Sequence, residues 1–182
     1  MVTDDERREI LSIARNAIVR GDGSLPPRVP RSGCLARPGG AFVTIRLKGD
    51  LRGCIGYIES PLPLANVVAE VALKSATQDP RFPPLTAPEI EEAVIEVSIL
   101  SPLQRVKDIG EIRIGVHGLL LELGARRGLL LPQVAMEYGW NTAEFLDNTC
   151  RKAGLASGSW KAPGAKLSMF TAEVCNEEHA HT

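Results

Sequence analysis

No stretch of this 182-residue chain approaches the roughly 20 apolar residues that a membrane-spanning helix needs. The N-terminus, Met1-Val2-Thr3-Asp4-Asp5-Glu6, is acidic and lacks the apolar core of a secretory signal. Basic charge is not in excess either. The 21 Lys and Arg residues are matched by 22 Asp and Glu, for a formal net charge of −1. Strong nucleic-acid binders usually carry a basic surplus, so bulk charge argues against that class and leaves only a local patch open. The cysteines, Cys34, Cys54, Cys150 and Cys175, include no Cys-x-x-Cys pair. There is no Walker loop, dinucleotide-binding fingerprint, zinc spacing or triad signature, and no fixed-period repeat. His179 and His181 in the polar tail lack nearby partners for a metal. Together these absences predict a soluble cytoplasmic protein with free thiols and no bound cofactor or metal.

What is present is ordinary globular composition, 44% hydrophobic and 24% charged. The length suffices for one sizeable core or two small lobes sharing a cleft. Thr3 and Glu6 have capping-box spacing, and Ile10, Ile13, Ala14, Ala17 and Ile18 then recur on one helical face up to Gly21-Asp22-Gly23. Residues 24–40, rich in Pro and Gly, read as an irregular connection. Residues 41–58 read as a β-hairpin, 62–78 as an amphipathic helix, 81–84 as a loop and 93–100 as a strand. A second hairpin follows over 115–131. Pro132 opens a short helix, Asn141 and Glu144 cap another that closes at Gly154, and 166–175 form a last strand. Residues 176–182 read as a mobile tail. Hairpins mixed with helices predict an α+β fold, a largely antiparallel sheet flanked by helices.

The register of the first hairpin decides which side chains meet, because a one-residue slip reverses every face. A two-residue turn at Gly49-Asp50 would place Arg52 and Cys54 beside Val43, Ile45 and Leu47. A three-residue turn over 48–50 instead places Leu51, Ile55 and Tyr57 there. It leaves Thr44, Arg46, Arg52 and Cys54 on the opposite face. The second register gives one coherent apolar face and is the expected one. It sets Arg46 opposite Arg52, a like-charge pair that calls for an anion or carboxylate between them.

Cys54 is the leading chemical candidate. Gly53 and Gly56 flank it in a strand interior, where glycine is costly unless a backbone or ligand comes close. Arg52 lies two residues away on the same face, and a guanidinium beside a thiol favours its anionic form. A buried cysteine is also a common small hydrophobe, and a strand glycine often marks a bulge, so a structural role stays open. His117 is the only histidine outside the tail. It is read either as a general base for Cys54 or as a satisfied core residue. Glu96 faces away from the apolar side of its strand, free to pair with Arg52 or Arg81 or to orient His117. Asp79 and Arg81 are expected to form a local salt bridge or to meet a ligand. Gln133 sits in the helical turn after Pro132, where free N–H groups can attract an anion. Trp140, Phe145 and Trp160 are expected to be core anchors.

The run Leu51-Arg52-Gly53-Cys54-Ile55-Gly56 resembles the signature of the AMMECR-one family, also called AmmeMemoRadiSam system protein A. Further runs match in order: Asp79-Pro80-Arg81-Phe82, Glu96-Val97-Ser98-Ile99-Leu100, His117-Gly118-Leu119 and Arg127-Gly128-Leu129-Leu130-Leu131-Pro132-Gln133-Val134-Ala135. Trp140, Phe145-Leu146, Cys150, Lys152-Ala153-Gly154-Leu155 and Trp160 complete the series. The resemblance implies a single AMMECR-like domain over residues 1–175, two-lobed, with a cleft between a larger and a smaller lobe. It also implies association, in prokaryotes, with a Memo-type protein and a radical S-adenosylmethionine enzyme. It implies no particular reaction. Tyr57 departs from the small or hydroxyl residue expected after the second glycine.

Two functional expectations follow, with a nucleic-acid-binding protein, discriminated by salt-dependent RNA binding, as a third. The first is a small cytosolic enzyme or ligand-processing protein. Its cleft is lined by Arg52, Cys54, Glu96 and His117, with Arg81 and Gln133 at its edge. Arg52 would hold a small anionic ligand, and a nucleotide or RNA base is among the conceivable substrates. The second is a non-catalytic module serving the Memo-type or radical enzyme partner.

Overall fold

A computed structural model describes residues 2–23 and 33–177. The chain is α+β, with every strand pairing antiparallel where its register is defined. It divides into two compact units, Met1–Leu100 with Glu173–Thr182, and Ser101–Ala172. Among the described residues no helix is long and apolar enough to cross a membrane.

In the first unit, α1 (Asp4–Arg20) begins at the expected Thr3/Glu6 capping box and ends at Gly21 in the left-handed conformation. Its anticipated apolar stripe is buried. Strands β1 (Gly40–Leu47) and β2 (Asp50–Tyr57) form the hairpin, followed by α2 (Leu64–Thr77), α3 (Ala87–Glu92) and β3 (Val94–Leu100). The strand order is β2-β1-β3-β7, where β7 is Lys166–Asn176, and β2 lies outermost among the described strands. Val43, Ile45, Ile95 and Val97 pack with Ile10, Ile13, Ala17, Val67 and Val71, so the two long helices cover one sheet face. Much of the connection read over residues 24–40 lies outside the described residues. Its end holds a short 3-10 turn, Cys34–Ala36.

The hairpin corrects the expected turn. Leu47 pairs with Asp50, so the turn is two residues, Lys48-Gly49, both with positive φ (51° and 90°). The register then shifts between Ile45 and Arg46. Ile45 pairs with Gly53 and Arg46 with Leu51, so Arg52 is the extra residue of a bulge. Arg46 therefore faces Leu51, not Arg52, and Leu51 is 36% exposed rather than part of the apolar face. Beyond the bulge the expected faces are restored. Val43 lies opposite Ile55, and Thr44 opposite Cys54.

Helix α3 is an addition to the expected elements. It has its own capping box, Thr86 with Glu89, and buries no residue. In the second unit, β5 (His117–Leu123) and β6 (Arg126–Leu130) form the second hairpin, and β5 also pairs with β7. A short strand β4 (Gln104–Arg105) adds to β7. Helices α4 (Pro132–Glu137) and α5 (Thr142–Lys152) complete it, with Gly154 left-handed after the end of α5. Phe145 is fully buried, and Trp140 and Trp160 pack against the same core. Strand β7 runs through Asn176, and Glu177 accepts hydrogen bonds from Arg15, so these two residues of the expected tail are held. Residues 178–182 lie outside the described residues.

Candidate functional site

The sheet face away from α1 and α2 carries two cross-strand rows, Gly56–Phe42–Ser98 and Cys54–Thr44–Glu96. Directly opposed side chains in such rows are near neighbours. The hydroxyl Oγ1 of Thr44 lies 3.3 Å from the sulfur of Cys54, close enough for a hydrogen bond of either sense. Cys54 is half-buried and Thr44 buried.

The glycines around Cys54 each have a packing reason. A Cβ at Gly53 would collide with the main-chain carbonyl of Ser75, because α2 approaches the strand that closely. The hydroxyl of Ser75 uses this approach. It accepts the N–H of Ile55 at 2.8 Å and donates to the carbonyl of Val43 at 2.8 Å. At Gly56 the ring of Phe42 occupies the space a side chain would need.

Since β2 is outermost, the outward polar groups of Cys54 need partners other than a strand. Asp79, just past α2, accepts the Cys54 N–H through Oδ2 at 2.8 Å. Arg81 donates to Asp79 from Nε (2.9 Å) and Nη2 (2.7 Å), and from Nη2 to the Cys54 carbonyl at 3.4 Å. The Asp79 side chain is only 3% exposed, and that of Arg81 is 53% exposed. The Arg81 guanidinium, helped by the Cys54 N–H against the cost of burial, holds the Asp79 carboxyl well below the usual carboxylate range. Asp79 in turn raises the pKa of Arg81. The expected Asp79–Arg81 bridge exists. Its grip on the Cys54 main chain is the part that spacing along the chain did not reveal.

Arg52 is committed elsewhere. Its Nε and Nη2 reach the two carboxylate oxygens of Glu89 at 2.8 and 3.1 Å, and Nη1 and Nη2 donate to the carbonyls of Pro83 (2.7 Å) and Pro84 (3.3 Å). The side chain is 12% exposed. The guanidinium of Arg52 holds the Glu89 carboxyl down at about 2, aided by the Thr86 N–H. Phe82 lies beneath both arginines, with ring-centre distances of 5.9 Å to Arg52 and 5.4 Å to Arg81. Glu89 is not among the residues expected at the site, although Thr86-Ala87-Pro88-Glu89 carries a visible capping-box and Pro signature.

Arg52, Cys54, Arg81 and Glu96 therefore belong to the first unit, and His117 and Gln133 to the second. His117 opens β5, half-buried. Its Nδ1 accepts the Arg113 N–H at 3.1 Å, which leaves the proton of the neutral ring on Nε2. Gln133 is the second residue of α4, a six-residue helix. Among the described residues, no group of three or more His, Cys, Asp or Glu side chains is placed to hold a metal ion.

A protein of Methanothermobacter thermautotrophicus is 43% identical over 96% of this chain and 95% of its own length. Protein MK0488 of Methanopyrus kandleri is 42% identical over 97% of this chain and 91% of its own. The crystal structure of the uncharacterized protein PH0010 from Pyrococcus horikoshii superposes with a TM-score of 0.86 at 36% identity, over 95% of this chain and 92% of that one. The profile of the AMMECR1 family matches residues 11–175, and on that match the chain belongs to the AMMECR1 family.

Proposed function

We propose that this protein is a thiol-dependent enzyme or ligand-processing protein whose reacting atom is the sulfur of Cys54. The observation that carries the reading is the fastening of one cysteine's main chain. A nearly fully buried carboxylate holds its N–H and the partner arginine of that carboxylate holds its carbonyl. Burying a charge is expensive, and the geometry it secures here is that of a half-buried thiol with a hydroxyl 3.3 Å away. In the reaction the sulfur bonds to an electrophilic carbon, the leaving group departs with the bonding pair, and the thiol proton passes to solvent. Thr44 donating to sulfur would strengthen as charge gathers there. Nothing in the reading requires His117 or Gln133.

The test is residue-resolved alkylation of the native protein with iodoacetamide. Cys54 is expected to react first, and the buried Cys150 and Cys175 only on unfolding. Equal rates at all four cysteines, or undiminished cellular function of Cys54→Ser, would end the proposal.

A second reading draws on the packing reasons for Gly53 and Gly56. In it the Arg-Gly-Cys strand is architectural, and the chain is a non-catalytic module beside a Memo-type protein or a radical S-adenosylmethionine enzyme. A stable complex in pull-down that survives Cys54→Ala, with cellular function retained, favours it.

A further inference from the structure

We propose that Arg81, rather than Arg52, selects the substrate of Cys54, and that it selects an electrophile bearing an anionic group, a carboxylate or a phosphate. The inference rests on the thiol reading above and names its substrate class.

The two guanidiniums near Cys54 are in different states. Arg52 has its fork filled by Glu89 and two proline carbonyls and is 12% exposed, so an incoming anion would have to displace a bidentate carboxylate. Arg81 uses one edge, Nε and Nη2, on Asp79 and on the Cys54 carbonyl. A guanidinium has five N–H donors, and among the described residues neither N–H of Nη1 has a partner. The buried edge is anchored, and the side chain as a whole remains 53% exposed over the Phe82 ring.

An arginine fixed on one side by a buried carboxylate loses little freedom on binding a ligand with its other side. Asp79 offsets the formal charge. The guanidinium stays cationic in the pair, so its two directed donors at Nη1 favour an anionic acceptor over a neutral one. Because Nη2 of the same guanidinium bonds the Cys54 carbonyl, an anion held at Nη1 sits on the group that fastens the main chain of the reacting residue.

Iodoacetate and iodoacetamide separate this inference from the one beneath it. Both alkylate by the same step, with a sulfur–carbon bond formed, iodide leaving with its electron pair and the thiol proton going to buffer. They differ only in the carboxylate. For the full chain at low ionic strength, the iodoacetate-to-iodoacetamide rate ratio at Cys54 is expected to exceed that of the unfolded chain by about tenfold. Arg81→Gln should return it to the unfolded value, and Arg81→Lys should keep part of the preference. Inorganic phosphate should slow iodoacetate at Cys54 of the unmutated protein, a measurement that does not depend on the variants folding.

A Cys54 that reacts readily, with an unfolded-like ratio and no effect of phosphate, overturns anion selection and leaves the thiol reading standing. A Cys54 inert to both reagents in the native protein overturns the two together.

Discussion

Asp79 accepts the main-chain N–H of Cys54 at 2.8 Å from 25 positions further along the chain. A carboxylate so placed holds the strand and Arg81 most strongly when it is ionised. Asp79, Glu89 and Glu6 all titrate below the usual range in the folded chain, the last two at about 2. Their unfolded values lie near 4, so between about pH 5 and 2 the unfolded chain binds more protons. Their contribution is complete above about pH 5 and is lost as pH falls through the folded values. Urea midpoints should therefore drop steadily from pH 5 to pH 2. Asp79→Asn should cost about 1–3 kcal/mol at pH 7, with the gap to the unmutated protein narrowing below about pH 4. A gap independent of pH would refute the assignment.

Gly53 and Gly49 should respond differently to alanine. At Gly53 the new methyl meets the Ser75 carbonyl, and relief requires α2 or β2 to shift, at about 2–3 kcal/mol. At Gly49 nothing among the described residues stands within 4 Å, and only the φ of 90° resists, at about 1 kcal/mol. Paired denaturation curves decide this, and equal losses would contradict the close approach of α2.

Arg52 fastens the segment from Pro83 to Glu89 onto the bulge of β2. Arg52→Lys keeps the charge but not the fork. Amide exchange at Leu85 and Ile90, whose N–H groups bond Ala76 and Thr86, should accelerate about tenfold. Unchanged protection at both would mean that the segment is held by other contacts.

Cys34 should be the slow one of the two half-buried thiols. Burial pushes its pKa up to about 11, with the Glu6 carboxylate adding to the rise. Native alkylation at Cys34 should climb about tenfold per pH unit through pH 9 without a plateau. Glu6→Gln should bring the rise to lower pH. A plateau below pH 9 in the unmutated protein would count against the burial of this thiol beside Glu6.

The hairpin shows what periodicity carries and what it does not. Alternation of Val43, Ile45, Ile55 and Tyr57 against Thr44 and Cys54 determined which residues share a face. It could not locate the extra residue, because a three-residue turn and a two-residue turn with a bulge leave the same parity beyond residue 53. The structure takes the second solution, and Arg52 changes from a ladder residue opposite Arg46 into a bulge residue gripping Glu89. That partner is 37 positions away on a short helix with no fully buried residue, so no apolar stripe marks it. The glycines were legible as close-approach positions. That the approaching groups are Ser75 and Phe42 depends on tertiary packing, which spacing does not encode.

Sheets grow when a foreign chain finds vacant peptide groups along a terminal strand. Along β2 those of Cys54 are occupied by an aspartate and an arginine from its own chain. An arriving strand would have to evict an ion pair before adding its first rung at this position. The fastening of Cys54 thus raises the cost of strand addition at this point of the border.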